Sequence, residues 1–165
     1  MKKLLILLLQ LSALATYAQT DSLKPAYLRF PTIPPIQLLQ LDSTTILTKD
    51  QLHKNRPVLL MYFSPDCDHC QHQMDDIMKD IDAFKNIQLV LATVQPFEMM
   101  KAFHEKYQLD KHSNIFLGRD IKYTLPPFFQ MRNLPYLALY NRKGDLITTF
   151  EGNVKTKKLI DAFSK

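Results

Sequence analysis

Runs of apolar residues alternate with segments of helical periodicity along most of this chain. Residues 58–63 are apolar at every position and residues 87–94 at all but Gln88 and Thr93, as expected of strands covered on both faces. Each run precedes a segment whose apolar residues recur every three to four positions, over residues 66–84 and 96–107. Strand, helix, strand and helix of these lengths predict βαβ units and a parallel sheet core.

Shorter segments lie before and after these units. Residues 36–41 and 44–47 predict the two strands of a hairpin, and Thr48 predicts the start of a short helix. Residues 114–118 predict a short strand. Residues 121–130 contain two adjacent prolines and predict a short helix or an ordered loop.

The C-terminal part of the chain has a clearer pattern. Residues 136–140 and 146–150 enclose a turn that contains Gly144, and they predict a second hairpin. Asn153 follows this hairpin and is a residue type that favours the N-cap of a helix. The sequence therefore predicts an α/β domain that ends in a hairpin and a helix.

The N-terminus has the pattern of a targeting segment. Lys2 and Lys3 precede a short apolar run, and small residues end at Ala18. We therefore expect a signal peptide over residues 1–18, and a periplasmic or secreted protein without stable membrane insertion after cleavage. An uncleaved membrane anchor remains the alternative.

The segment after the predicted cleavage point is rich in proline. Four prolines interrupt residues 19–35, which predicts an extended linker ahead of a single domain over residues 36–165. Removing residues 1–18 lowers the net charge from +5 to +3. This weak charge, without a long basic run, does not favour a nucleic-acid partner.

Candidate chemistry is concentrated where the first buried strand meets its helix. Cys67 and Cys70 are the two cysteines of the chain. The N-terminus of a helix stabilises a thiolate, and a spacing of three residues places both thiols on one helix face. One pair in an exported protein is not a disulfide framework, so this pattern predicts a dithiol/disulfide switch. A structural disulfide or half of a zinc site remains an alternative.

The order of elements and two motifs together resemble the thioredoxin fold, and in particular its exported TlpA-like and redoxin branch. The first motif is residues 63–70, which match the family pattern aromatic-x-x-x-Cys-x-x-Cys. The second is Leu134-Pro135-Tyr136, which matches a hydrophobic-Pro step. The resemblance implies a central mixed sheet flanked by helices, with the N-terminal β-hairpin as an extension.

The resemblance also implies functional roles. Cys67 is the expected attacking thiol and Cys70 the resolving thiol, while Leu134 and a cis Pro135 shape a substrate groove. The exposed Pro135 carbonyl is expected to pair with an extended substrate backbone.

The chain departs from the family pattern at three positions near the dithiol. Asp66 stands where the family often has Trp, Met61 where thioredoxins bury an acid, and Gln73 where some TlpA-like reductases have Glu. The usual proton acceptors are therefore missing. Asp68 and His69 are expected to tune the redox potential in opposite directions, since a His stabilises the thiolate and an acid opposes it.

The expected function is therefore that of an exported thiol–disulfide oxidoreductase that reduces or exchanges disulfides in envelope proteins. Its expected partners are protein thiols and a membrane or periplasmic electron donor, with no cofactor beyond the Cys67–Cys70 disulfide and no resident metal. Three alternatives remain: a DsbA-like oxidant, a redoxin-type peroxidase, and a copper carrier that uses both thiolates with His69 or His72.

Overall fold

A single seven-stranded mixed sheet organises the computed structural model, which describes residues 24–164. The spatial order of the strands is β2-β1-β5-β4-β3-β6-β7. The strands are β1 (Gln37–Leu39), β2 (Ile46–Thr48), β3 (Val58–Tyr62), β4 (Gln88–Thr93), β5 (Ile115–Arg119), β6 (Tyr136–Tyr140) and β7 (Leu146–Glu151). The helices are α1 (Ala26–Arg29), α2 (Asp68–Lys79), α3 (Phe97–Tyr107), α4 (Leu125–Phe129) and α5 (Thr156–Phe163). Short 3₁₀ turns cover Lys49–Gln51, Ile81–Phe84 and Leu109–Lys111.

The strand pairing confirms the predicted mixed sheet. β3 runs parallel to β4 and antiparallel to β6, and β5 runs parallel to β4. Every residue of β3, β4 and β6 is buried, because helices and loops cover both faces of these central strands. The predicted N-terminal hairpin, β1 and β2, extends the sheet by pairing antiparallel with β5.

The two faces of the sheet bury two hydrophobic clusters. Alternate residues of β3 point to opposite faces, so Leu59 and Met61 join one cluster, and Leu60 and Tyr62 the other. The first cluster also contains Cys70 and the inner faces of α2 and α3. One of the two cysteines is therefore part of the hydrophobic core.

The predicted signal peptide lies outside the described residues. The described part of the predicted linker contains the short helix α1, whose Tyr27 stacks on Phe129 with ring centroids 5.8 Å apart. Thr32 pairs with Asp145 in an isolated antiparallel bridge. The chain thus packs on the sheet before residue 36, although the prolines predict an extended segment. Within residues 24–164, no helix has the length and apolar character needed to cross a bilayer.

Several predicted boundaries are wrong by a few residues. The helix after β3 begins at Asp68, with Cys67 as its N-cap, and it ends at Lys79 before a separate 3₁₀ turn. The last helix begins at Thr156 with Lys155 as its N-cap, so Asn153 is not its cap.

Gly118 allows the N-terminal hairpin to lie close to β5. A Cβ atom at this position would lie 2.6 Å from the Cβ of Leu38 and 3.2 Å from its carbonyl carbon. We expect Gly118→Ala to lower the free energy of unfolding by about 1–3 kcal/mol, because the backbone of β1 must shift. Chemical denaturation measures this loss, and an unchanged unfolding midpoint would contradict the close approach.

Candidate active site at the end of strand β3

The two cysteines follow the C-terminal end of β3. Phe63 continues the strand, and its ring packs on that of Phe103 in α3 with centroids 4.5 Å apart. The chain then turns, and the Cys67 N–H donates to the Ser64 carbonyl at 3.1 Å. Cys67 adopts an extended conformation as the N-cap of α2, and its own carbonyl accepts from the Gln71 N–H at 2.9 Å. The first thiol therefore lies at the N-terminus of α2.

The two thiols differ in exposure. Cys67 is partly exposed, whereas Cys70 is 0 % exposed and packs within the first hydrophobic cluster. The Cys67 side chain is close enough to act on the ionisation of the Cys70 thiol. One thiol is thus open to a partner molecule, and the second is shielded directly behind it.

The surroundings of Cys70 oppose its ionisation. Burial raises the pKa of the Cys70 thiol to about 12, and the hydrogen bond with Cys67 and the negative charge of Asp66 act in the same direction. A backbone hydrogen bond from Ser64 acts against them. Met61, which stands at the position of the buried acid of thioredoxins, is itself 0 % exposed in the same apolar cluster.

This difference between the thiols predicts selective alkylation. In the reduced protein between pH 7 and 9, we expect iodoacetamide to modify Cys67 while Cys70 stays protonated and unmodified until the protein unfolds. Peptide mass spectrometry after timed quenching measures both sites. Equal modification of the two cysteines in the folded protein would contradict the described site.

Asp66, Asp68 and His69 lie around Cys67, and all three side chains are exposed. Asp66 accepts a hydrogen bond from the Ser64 hydroxyl, and its charge acts on Cys70. Asp68 and His69, the predicted tuning residues, are both exposed in the first turn of α2. The contact of Asp66 with Ser64 depends on the geometry of the turn, which no local sequence pattern predicts.

Helix α3 supports the dithiol turn from one side through Gln71. The Gln71 amide nitrogen donates to the Pro65 carbonyl at 2.7 Å, and its oxygen accepts from the Lys106 ammonium at 2.9 Å. The Tyr107 hydroxyl lies 3.1 Å from the Gln71 carbonyl and 2.9 Å from Asp75, and these two acceptors share its one proton. A mainly apolar groove of about 300 Å³ lies beside this network, with Asp66 and Lys106 among its lining residues.

The hydrophobic-Pro step lies beside the dithiol turn. Tyr62, the last residue of β3, pairs with Tyr136, the first residue of β6. The dithiol turn, residues 63–67, therefore follows β3 at the same end of the sheet where the Leu134–Pro135 step precedes β6. The Leu134–Pro135 peptide bond is cis. Cys67 and Leu134 both pack against the first hydrophobic cluster.

The backbone groups available at this step belong to Leu134. The Pro135 carbonyl, which we expected to be free, accepts a hydrogen bond from the Gly152 N–H at 2.9 Å because β7 continues alongside it. Among the described residues, neither the N–H nor the C=O of Leu134 takes part in a hydrogen bond. A free donor and acceptor on one residue is the arrangement that an added strand requires.

Gln73 cannot take the place of the missing proton acceptor. It is 0 % exposed, its amide nitrogen donates to the Val154 carbonyl at 3.0 Å, and its oxygen accepts from the Val154 N–H at 2.7 Å. Asp120 is the one fully buried carboxylate of the described residues, and it accepts hydrogen bonds from Thr124 and Leu125 at the start of α4. The hydrogen bonds of both side chains thus go to residues other than the two cysteines.

The candidate metal ligands near the thiols are not grouped in the described part of the chain. His72, one of the candidate ligands, is 70 % exposed, and its Nε2 lies 3.8 Å from Asp76 Oδ2. Within residues 24–164, no three His, Cys, Asp or Glu side chains are grouped so as to hold a metal ion.

The sheet order, the Cys-x-x-Cys turn and the neighbouring cis-Pro step define a thioredoxin-like fold. The model of the AhpC/TSA family matches residues 31–160, so the chain belongs to that family. No curated protein sequence matches the chain.

Solved structures with a similar fold include disulfide oxidoreductases. A secreted Mycobacterium tuberculosis disulfide oxidoreductase homologous to E. coli DsbE is 16% identical with a TM-score of 0.65, and the match covers 79% of this chain and 95% of that one. A putative thioredoxin from Neisseria meningitidis is 21% identical with a TM-score of 0.65, over 79% and 86% of the chains. StoA from Bacillus subtilis is 18% identical with a TM-score of 0.59, over 80% and 98%.

Proposed function

We propose that this protein is an exported thiol–disulfide oxidoreductase that reduces or exchanges disulfides in envelope proteins. The observation that carries the proposal is the pairing of a partly exposed thiol at a helix N-terminus with a buried thiol one helical turn later. The similar fold of the secreted Mycobacterium tuberculosis disulfide oxidoreductase supports the same activity and an extracytoplasmic location.

The proposed reaction is two successive exchanges. The Cys67 thiolate attacks a disulfide of the substrate, forms a mixed disulfide, and releases one substrate sulfur as a thiolate. The Cys70 thiol loses its proton and attacks the Cys67 sulfur, which forms the Cys67–Cys70 disulfide and releases the second substrate thiol. Two electrons have then passed from the dithiol to the substrate, and a membrane or periplasmic dithiol donor restores the reduced pair.

The free backbone groups of Leu134 provide the proposed docking point. An extended substrate segment that pairs with Leu134 as an added strand would lie beside the dithiol turn. Leu134 and the dithiol turn are at the same end of the neighbouring strands β6 and β3. The substrate class is therefore a protein or peptide disulfide in an extended segment.

The charge around the dithiol favours reduction over oxidation. Asp66 and Asp68 flank Cys67 in the chain, and the negative charge of Asp66 acts on Cys70. Strong oxidants of this class stabilise their reduced form as a thiolate, and nearby carboxylates oppose that form. His69 is exposed and would act in the opposite direction.

A disulfide-reduction assay tests the proposal. We expect the purified protein to accelerate the reduction of insulin by dithiothreitol. With the Cys67→Ser, Cys70→Ser double variant, we expect the same rate as with dithiothreitol alone. The absence of acceleration would contradict the proposal. Rapid consumption of hydrogen peroxide without insulin reduction would instead favour the peroxidase alternative.

A further inference from the structure

The Leu134–Pro135 step and the start of α2 form the two walls of the proposed substrate groove. Three consecutive residues connect these walls. We call residues 152–154 the bridging segment. At its start, the Gly152 N–H donates to the carbonyl of Pro135, on the wall formed by the cis step. Next, the Asn153 amide nitrogen donates to the carbonyl of His69 at 2.6 Å, on the wall formed by the dithiol helix.

The third residue ties the bridging segment to the body of α2. Val154 is bonded through both its N–H and its C=O to the Gln73 amide, and both residues are buried. Buried hydrogen bonds between well-packed groups hold a fixed geometry. The bridging segment therefore has a fixed position against α2, one turn beyond Cys70.

The Asn153 bond is not needed to satisfy the helix. The carbonyl of His69 lies within α2, where the N–H four residues later is its regular partner. Asn153 adds a second donor from a segment 84 residues away in the chain, although its own side chain is exposed. Its amide is directed to the turn between the two cysteines and does not cap α5.

We propose that Asn153 is a positioning residue, which holds the dithiol turn in a fixed place relative to the Leu134–Pro135 step through the bridging segment. This inference rests on the proposed function and deepens it. A protein substrate contacts both walls at once, through the backbone of Leu134 and the sulfur of Cys67. A small disulfide reacts with Cys67 alone and does not sense the distance between the walls.

The test compares two substrates in Asn153→Ala. The rate of mixed-disulfide formation is measured with an extended peptide disulfide and with the small aromatic disulfide dithiobis-nitrobenzoate. We expect the peptide rate to fall about tenfold, since loss of orientation slows a docked reaction, and the rate with the small disulfide to change less than about twofold. Because the side chain is exposed, we expect the variant to fold.

Asn114→Ala is the matched control. Asn114 also donates its amide to backbone carbonyls, those of Phe84 and Ile87, but it lies before β5 at the opposite end of the sheet. We expect this variant to lose thermal stability while both exchange rates stay near wild type. We expect Asn153→Gln, which keeps the amide donor, to recover part of the peptide rate.

Two results would overturn the positioning role. In the first, the two rates of Asn153→Ala fall by the same factor, which would mean a general effect on Cys67. In the second, the peptide rate is unchanged. A wild-type protein that exchanges with neither disulfide would instead overturn the proposed function itself.

Discussion

Replacing Cys67 by serine is expected to abolish disulfide exchange, with a loss of turnover on the order of 10³-fold or more, because the buried Cys70 cannot reach a substrate sulfur. Cys70→Ser is expected to retain the first attack and to stop at the mixed disulfide. Both single variants should therefore lose turnover, but only Cys70→Ser should accumulate the mixed disulfide.

Trapped complexes measure this difference directly. Non-reducing gels and mass spectrometry should show substrate covalently bound to Cys67 in the Cys70→Ser variant, and little bound substrate in Cys67→Ser. The matched control is the double variant, which should trap nothing. More trapping by Cys67→Ser than by Cys70→Ser would show that the two roles are reversed.

Gln73→Glu is expected to make the stability of the protein depend on pH. Gln73 donates to the Val154 carbonyl and accepts from the Val154 N–H, and a glutamate can do both only when it is protonated. Burial and the facing carbonyl therefore raise the pKa of the introduced acid in the folded state. The variant should resemble wild type below the unfolded pKa of about 4.3 and lose stability as the pH rises through the folded pKa.

The expected loss at pH 7 is about 3 kcal/mol in the free energy of unfolding, the cost of a buried group left without its hydrogen bond. Denaturation of variant and wild type in parallel between pH 4 and 8 measures the difference and cancels the titration of other groups. Gln73→Met is the control, because its loss should not vary with pH. A constant difference between Gln73→Glu and wild type would contradict the described contact.

The central sheet could be predicted because its signals are local. β3 is apolar at every position and β4 at all but its two terminal residues, and α3 has the expected periodic apolar face, including Met100, Phe103 and Tyr107. The second hairpin was equally predictable from two strand-like segments around Gly144. These elements depend mainly on residues next to one another in the chain.

The errors concern residues whose partners are distant in sequence. Asn153 has the local character of an N-cap, yet it binds the carbonyl of His69, 84 residues away. The Pro135 carbonyl appeared free for a substrate, and it is occupied because β7 continues to Gly152. Hydrogen bonds of this kind depend on strand register and loop path, which a single sequence does not specify.

The position of the dithiol in the fold could be predicted from the sequence, but the contacts of the neighbouring Asp66 could not. The motif located Cys67 and Cys70 between a strand and a helix, and the structure has them there, with Cys67 partly exposed and Cys70 buried. Only the folded turn shows that Asp66 bonds to Ser64 and acts on Cys70, because that contact depends on how the turn folds back.

The most direct test of the central claim is the redox equilibrium of the Cys67–Cys70 pair against glutathione in metal-free buffer, read by alkylation and mass. We expect reversible formation of one intramolecular disulfide with a potential near or below about −230 mV, in the range of reducing dithiols. A potential near −120 mV would contradict the reducing role and favour an oxidant. A pair that does not cycle between dithiol and disulfide would contradict the account as a whole.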